Sequence, residues 1–225
     1  MFKALLAAVV LAAVSTSAQA QSSWTLDGSI GLVSDYRFRG ISLSNERPAL
    51  QGGLTASHTS GFYGDVFLST IEEYGIGSDG DGAEIEVTGS LGWAGEIGGF
   101  VVDAAVSAYR YPDGDDVNYV EVPVEISRSI ADLILTAGVA YAPSQDALGD
   151  EDNRYGWLGA EYRPLQWPFA LTATIGREEG AFAPDGKTDW SLGASREFGP
   201  VALALSWVEA DEVDGSVVAS VFWNF

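Results

Sequence analysis

Two residues in the first third of the chain have the side chains of a nucleophile and its base. His58 is the single histidine among 225 residues, and Ser60 follows it two positions later. A serine hydroxyl attacks once an imidazole accepts its proton, and that imidazole needs an acid to orient it. Such a pair could serve a lipid-modifying enzyme, but residues 58–61 (HTSG) also have the composition of a tight turn. Turn chemistry explains both residues, so we predict no catalytic residues and no enzyme.

Clustered carboxylates are the second group that could do chemistry, as ligands of a divalent cation. The chain has 32 acidic and 11 basic residues, a formal net charge of −21, which disfavours nucleic acid as a partner. Acids concentrate in residues 113–116 (DGDD) and 150–152 (DED). Calcium prefers such oxygens, but neither run has the spacing of a dedicated calcium loop. We therefore predict solvated loops that bind ions loosely, with no metal site and no cofactor.

The longest regular pattern, in residues 24–39, indicates the kind of element that positions these side chains. Its even positions carry no charge, while its odd positions are mostly polar. Period two is the pattern of a strand with two unlike faces, and about 15 residues exceeds the usual length of a globular strand. We predict one continuous strand over residues 24–39 that crosses a membrane within a closed barrel.

The same alternation returns along the chain and predicts about 12 strands. The expected fold class is all-β, a transmembrane antiparallel up-and-down β-barrel of the outer-membrane type. Short turns would lie at one end, and longer loops, including residues 178–187, at the other. Pro123 cannot donate to a ladder, so we predict a bulge near it. The aromatic residues expected in two interfacial girdles are Trp24, Phe62, Trp93, Phe100, Tyr162, Phe169, Trp223 and Phe225 at one interface, and Phe38, Tyr141, Trp190 and Trp207 at the other.

Residues 1–20 have the composition of a secretory signal. Lys3 precedes an apolar run that ends in small residues, so we predict cleavage after Ala20 and a barrel domain over residues 21–225. No later run approaches the roughly 18 to 20 apolar residues of a spanning helix. The chain has no cysteine, which excludes disulfides. The expected location is the outer membrane of a Gram-negative bacterium.

The inward positions of the predicted strands describe a lumen with a net acidic wall. Arg37 and Arg39 would lie near the outer end of the first strand and face acidic side chains on other strands. Opposed rings of charge are how pores select ions, so we predict a constriction with a transverse field. The alternative is that the same residues form a salt-bridged plug. The predicted pore-lining residues are Asp35, Arg37, Arg39, Asp65, Glu84, Glu86, Glu121 and Glu125.

Residues 31–42 (GLVSDYRFRGIS) and 47–53 (RPALQGG) closely resemble the opening of a proteobacterial family of outer-membrane porins. That family is named after a porin associated with trimethylamine N-oxide respiration. The resemblance extends to residues 57–61, 109–112 and 189–195, and it implies an outer-membrane β-barrel that acts as a diffusion channel. It implies no binding or catalytic residues. Residues 216–225, which end in Phe225, resemble the terminal strand that the barrel assembly machinery reads.

The sequence therefore predicts a porin-like channel for passive diffusion of small hydrophilic solutes, cationic or zwitterionic ones in preference to anions. The expected partners are outer-membrane lipid and lipopolysaccharide, the barrel assembly machinery and small solutes; the oligomeric state is left open. The alternative is a non-conducting structural or surface-interaction barrel with acidic, ion-binding loops.

Overall fold

The computed structural model describes residues 23–77, 80–211 and 213–225. The predicted signal peptide lies outside these residues. Most of the described residues lie in β-strands. Among them, no helix is long and apolar enough to cross a membrane. The strands are β1 (Trp24–Val33), β2 (Arg37–Phe38), β3 (Ile41–Ser42), β4 (Ala49–His58), β5 (Phe62–Tyr74), β6 (Ala83–Ile97), β7 (Phe100–Arg110), β8 (Tyr119–Ile130), β9 (Leu133–Ala142), β10 (Asn153–Tyr162), β11 (Ala170–Gly180), β12 (Ala183–Phe198), β13 (Val201–Ala210) and β14 (Val213–Asn224).

Strands β1 and β4 to β14 form one closed barrel of 12 strands. Each strand from β5 to β13 pairs with the strand before it and the strand after it in the chain. β1 pairs with both β4 and β14, so the sheet closes and has no free edge strand. The pairing is antiparallel throughout. The predicted fold class and strand number are confirmed.

The two ends of the barrel differ in the length of their connections. The end that we call the turn end carries the starts of β1 and β5 and the end of β14, together with short turns such as residues 98–99 and 131–132. The opposite end, which we call the loop end, carries the described residues 34–48, 75–77, 80–82, 111–118 and 143–152. The loop predicted over residues 178–187 is wrong, because β11 continues to Gly180 and β12 begins at Ala183.

Side chains alternate between the two faces of the wall. Along β8, Val122, Val124 and Ile126 point outward and are exposed, while Tyr119 and Glu121 point into the lumen and are buried. An apolar outer face with aromatic residues at both rims is the surface of a membrane-spanning barrel. Exposed aromatics of the predicted girdles are Trp24, Phe62, Phe100, Tyr162, Phe169, Trp223 and Phe225 near the turn end, and Tyr141, Trp190 and Trp207 toward the loop end.

Two predicted features of the strands are wrong. The register between β7 and β8 is the same on both sides of Pro123, so the expected bulge is absent, and the ladder simply omits the pairs at residues 122 and 123. Strand β1 ends at Val33 instead of continuing to residue 39. Phe38 consequently leaves the predicted girdle and lies 6.0 Å from the inward-facing ring of Tyr109, measured between ring centroids.

The seam between β1 and β14 depends on a glycine. Only residues 29–33 of β1 pair with β14, extended by hydrogen bonds of 2.8 and 2.9 Å between the backbones of Gly28 and Phe225. A Cβ added at Gly31 would lie 2.2 Å from the carbonyl oxygen of Val221. A backbone atom cannot rotate away as a side chain can, so the two strands must separate to admit a methyl group.

Gly31→Ala is expected to lower the free energy of unfolding by about 1 to 3 kcal/mol, the usual cost of overpacking. Urea unfolding of the refolded barrel measures the change. The matched control is Gly53→Ala on β4, where a Cβ would meet its nearest atom at 3.7 Å. Equal stability of the two variants would contradict the assignment of Gly31 to a tight seam.

Candidate functional site: an inward hairpin at the loop end

The chain turns into the lumen directly after β1. Strands β2 and β3 pair through Arg37 with Ser42 and Phe38 with Ile41, which leaves Arg39 and Gly40 as a two-residue turn. Both have positive φ, 50° and 84°, the signature of a type I′ turn, which matches the twist of a hairpin. Residues 35–44 form this structure, which we call the inward hairpin.

A carboxylate organises the base of the inward hairpin. Asp35 accepts hydrogen bonds of 2.6 Å from Arg37 Nε and from Ser42 Oγ. The backbone N–H of Tyr36 donates to Ser44 Oγ at 2.8 Å. Arg37 Nη1 also donates to the carbonyl oxygen of Asp214 at the start of β14, at 3.2 Å. The base is therefore fixed both within itself and to the neighbouring wall.

The tip of the inward hairpin is held by ion pairs to the wall. Arg39 Nη2 lies 2.7 Å from both carboxylate oxygens of Glu121, and Nη1 donates to Glu178 Oε1 at 2.7 Å. Lys187 Nζ lies 2.7 Å from the other oxygen of Glu178. The guanidinium carbon of Arg39 sits 4.4 Å from the ring centroid of Tyr155, within the range of a cation–π contact. We call Arg39, Glu121, Tyr155, Glu178 and Lys187 the tip cluster.

Burial makes these contacts strong. Arg39 is 8% exposed, and Glu121 and Glu178 are 1% and 2% exposed. Burial lowers the pKa of Arg39, but the two carboxylates outweigh it and hold the pKa above its ordinary value. The guanidinium is thus charged, and its hydrogen bonds to the carboxylates are charge-assisted.

The inward hairpin crosses the whole lumen. Counted around the barrel from β1, Glu121 on β8 is five strands away in one direction and Glu178 on β11 is four strands away in the other. Tyr155 lies between them on β10. A segment that leaves the wall at β1 and contacts β8, β10 and β11 therefore spans the lumen to the opposite side.

Tyrosine hydroxyls surround a second buried carboxylate beside the inward hairpin. Glu86, 1% exposed, accepts hydrogen bonds from Tyr36 Oη at 3.2 Å, Tyr111 Oη at 3.3 Å and Thr88 Oγ1 at 2.9 Å. Burial, with a smaller contribution from Glu86, raises the pKa of Tyr36 well above its ordinary value. Tyr36 thus stays protonated and ties the hairpin to β6.

The predicted pore-lining residues fall into three places. Asp35, Arg37, Arg39, Glu86 and Glu121 come together in or beside the inward hairpin. The two arginines lie on the hairpin and not on the first strand, and Arg37 pairs with Asp35 of its own segment. The remaining residues are half-buried on the wall nearer the turn end, at Asp65 and Glu125, or exposed at the loop end, at Glu84.

Below the inward hairpin the lumen wall carries acids, short side chains and inward aromatic rings, among them Trp157, which lies over Gly138. Asp103 and Glu125 are direct cross-strand neighbours, and Tyr63 Oη donates to Asp103 Oδ1 at 2.7 Å. Arg163, at the turn end, pairs with Glu161. The short inward side chains on β9 and β11 to β13 include Thr136, Gly138, Ala140, Thr172, Thr174, Ser191, Gly193, Ser195, Ala204 and Ser206.

Sequence reasoning missed three members of the tip cluster. Glu178 and Lys187 lie at the two ends of the loop that the sequence predicted. Tyr155 was predicted only as the first residue of a strand. One signal was available, because Glu178 continues the inward period of Thr172, Thr174 and Gly176. Asp189, an inward position of β12, also borders the cluster, since Tyr155 Oη donates to its Oδ1 at 3.1 Å.

The histidine and serine pair lies far from this site. His58 Nδ1 and Ser60 Oγ are 2.6 Å apart in the exposed turn between β4 and β5, at the turn end. Within the described residues no carboxylate bonds the His58 ring, which packs on Trp24. Across residues 23–77, 80–211 and 213–225, no group of three or more histidine, aspartate or glutamate side chains is arranged to hold a metal ion.

Solved structures with a similar fold are outer-membrane proteins. A NanC porin structure is 12% identical with a TM-score of 0.56, covering 89% of this chain and 98% of that one. The CymD monoaromatic hydrocarbon channel is 13% identical with a TM-score of 0.53, covering 91% and 88%. An outer membrane channel from Pseudomonas putida F1 is 11% identical with a TM-score of 0.52, covering 94% and 99%. At these identities the likeness shows the fold.

Three further comparisons concern a longer porin, the curated proteins and a family model. The chain spans 62% of the length of a porin refined at 1.8 Å, at 14% identity and a TM-score of 0.44. No curated protein matches the sequence. Residues 17–221 match the family model described as a bacterial protein of unknown function, Gcw_chp. Because this match covers most of the sequence, the chain belongs to the Gcw_chp family.

Proposed function

We propose that this protein is a porin-like channel of the Gram-negative outer membrane, through which small hydrophilic solutes diffuse passively, cationic and zwitterionic ones in preference to anions. The observation that carries the proposal is a closed barrel with an apolar outer surface, whose inner wall carries acids and short polar side chains together with aromatic rings such as Tyr155 and Trp157. The opening segment, which resembles the porin family named after trimethylamine N-oxide respiration, supports the same function.

The width of the lumen follows from the number of strands. Side chains fill a barrel of about 8 strands, whereas barrels of about 16 to 18 strands leave an aqueous channel. A barrel of 12 strands lies between these cases, so its inward residues decide whether a path remains. Serine, threonine and alanine at inward positions of β11 to β13 are short, and their hydroxyl groups can hydrate a passing solute. The ring of Tyr155, in contrast, covers Gly176 on β11.

The preference for cations follows from the charges below the inward hairpin. Asp65, Asp103 and Glu125 point into this part of the lumen, and Arg163, at the turn end, is paired with Glu161. Fixed negative charge on a narrow wall attracts cations and repels anions. The constriction that we propose lies above this wall, where the arginines of the inward hairpin face Glu86 and Glu121.

Conductance in a planar bilayer tests the proposal. The refolded barrel is expected to give stable steps and, across a KCl gradient, a reversal potential of the sign set by K⁺ permeation. Asp65→Asn combined with Glu125→Gln should move the K⁺/Cl⁻ permeability ratio toward one, because two lumen charges are removed. The matched control removes two charges from an exposed loop, as Asp113→Asn with Asp116→Asn, and should leave the ratio unchanged. A K⁺/Cl⁻ permeability ratio that stays the same in the Asp65→Asn, Glu125→Gln variant would contradict selectivity by the acidic wall.

A second candidate is a barrel that does not conduct at rest. The specific observation in its favour is that the inward hairpin crosses the lumen and is tied to both sides of it. A folded barrel without any conductance steps would support this alternative, in which the acidic loops contact ions or a surface partner. The conductance of the intact barrel separates the two candidates, because only the channel conducts while the inward hairpin is in place.

The partners that we propose follow from this location. The apolar belt would contact outer-membrane lipid, and lipopolysaccharide would meet the loop end. Residues 1–20 would direct export and be cleaved, and the β14 strand that ends in Phe225 would be read by the barrel assembly machinery. Phe225 is 70% exposed at the turn end, where another protein could reach it.

A further inference from the structure

We propose that the wall part of the tip cluster is a binding site for solutes that carry a guanidinium group, and that Arg39 occupies this site as a tethered ligand. A solute of this class would compete with Arg39 and release the tip of the inward hairpin. The inference deepens the channel function, on which it rests for the route of the solute through the lumen.

The wall residues suit a planar cation. Glu121 and Glu178 present carboxylate oxygens to two different nitrogens of Arg39, at 2.7 Å each, and Tyr155 offers its ring face at 4.4 Å. Paired carboxylates match the flat, forked donors of a guanidinium, and the aromatic face stabilises its charge. All three groups belong to the wall, so they stay in place when the hairpin moves.

The carboxylates around the site outnumber the cations that face them. Glu121, Glu178 and Asp189 are three carboxylates, whereas the cations among them are Arg39 and Lys187. Asp189 is 7% exposed, and its Oδ2 has no hydrogen-bond partner among the described residues. A buried carboxylate oxygen without a donor is costly, and a bound cation would supply the missing donor.

The Asp189 side chain lies beside the tip itself. A Cβ built on Gly40 would be 3.0 Å from Asp189 Cβ, and the other oxygen of Asp189 accepts a hydrogen bond from Tyr155. The third carboxylate thus borders both the turn that carries Arg39 and the ring on which Arg39 stacks. It extends the cation site of Glu121 and Glu178 toward β12.

Competition with Arg39 couples solute binding to the inward hairpin. The ion pairs of Arg39 attach the tip to β8 and β11, while the base keeps the separate contacts of Asp35 and Arg37. A ligand that takes the place of Arg39 favours the state in which the tip is detached. Solutes of one chemical class would then widen the path that they use.

Calorimetric titration with methylguanidinium chloride tests the site on the refolded full-length barrel in detergent, at constant ionic strength. Arg39→Gly removes the tethered ligand and keeps the turn, since glycine accepts the positive φ of residue 39. Removing an internal competitor of about millimolar effective concentration should tighten methylguanidinium binding by about tenfold or more. Arg47→Gly is the matched control: it removes the same charge from the same connection, at an exposed side chain paired with Glu72, and should bind as the wild type does.

Two further titrations identify the chemistry. Adding Glu121→Gln to Arg39→Gly should weaken methylguanidinium binding again, and tetramethylammonium, which has no N–H donor, should bind Arg39→Gly more weakly than methylguanidinium does. Should Arg39→Gly fail to refold, Arg39→Gln takes its place. Equal affinity in wild type, the Arg39 variant and Arg47→Gly would overturn the proposal and leave Arg39 as a structural tether. Because calorimetry needs no current, a barrel that does not conduct can still pass or fail this test.

Discussion

Replacing residues 36–43 with a three-residue Gly-Ser-Gly linker is expected to raise the single-channel conductance several-fold. The replaced residues form nearly all of the inward hairpin, which spans the lumen from β1 to the wall at β8 and β11. A short linker can close the gap, because Ser44 Oγ lies 3.2 Å from Asp35 Oδ1 at the base. The barrel strands keep all their ladder pairs, because β2 and β3 pair with each other, and the backbone bond lost from the wall is the one that Glu72 N–H donates to the carbonyl oxygen of Leu43 at 2.8 Å.

The same variant should become more selective for cations. The replaced segment contains two arginines, Arg37 and Arg39, and no acid. Its loss removes the cations that pair with Asp35 and Glu121 and leaves Glu178 with Lys187 as its one cation. The reversal potential across a KCl gradient should shift further toward that of K⁺. Arg47→Gly, which removes one exposed arginine and leaves the inward hairpin intact, serves as the control. Unchanged conductance in the linker variant would show that the hairpin is not the obstacle in the lumen.

Strand alternation was sufficient to predict the barrel because each strand has one face toward lipid and one toward the lumen. Residues such as Val122, Val124 and Ile126 repeat with period two, and this local signal does not depend on which strands are neighbours. The number of strands and the antiparallel order follow from counting such segments. Both were correct.

The inward hairpin could not be found in this way because it keeps the same alternation. Asp35, Arg37 and Arg39 continue the polar positions of β1, and Tyr36 and Phe38 continue the uncharged ones. The turn inward is decided by partners that are remote in sequence, since Glu121 and Glu178 lie 82 and 139 residues from Arg39. The one local indication is Arg39-Gly40 between short β segments, which has the glycine of a two-residue hairpin turn.

The candidate site was only half predicted for a related reason. Arg39, Glu121 and Glu86 were named because they carry charge at inward positions. Glu178 and Lys187 were missed because the composition around residues 181–186 resembles a loop, whereas β11 continues to Gly180, opposite Asn153 of β10, and β12 extends beyond its first pair with β13 at Asp189. The length of a strand beyond the membrane depends on its pairing, which composition alone does not reveal.

Arg39→Ala is expected to lower the free energy of unfolding by up to about 3 to 5 kcal/mol, the cost of removing one partner from a buried ion pair. The variant leaves Glu121 without its cation and Glu178 with Lys187 alone. Water that enters when the tip detaches would reduce this cost. Urea unfolding of the barrel in lipid vesicles measures the change, and Arg47→Ala is the control. Arg47 forms an exposed pair, which contributes about 0 to 1 kcal/mol.

The unpaired charge itself can be tested with a second substitution. Arg39→Ala combined with Glu121→Gln should be more stable than Arg39→Ala alone, because a neutral amide is cheaper to bury than an unpaired carboxylate. A double-mutant cycle of the two positions isolates their coupling, and Glu121→Gln alone completes it. Additive effects of the two substitutions would mean that the ion pair contributes nothing measurable. The inward hairpin would then be held by its base at Asp35 and by the Tyr36 contact with Glu86, and a solute that displaced Arg39 would gain no control over the lumen.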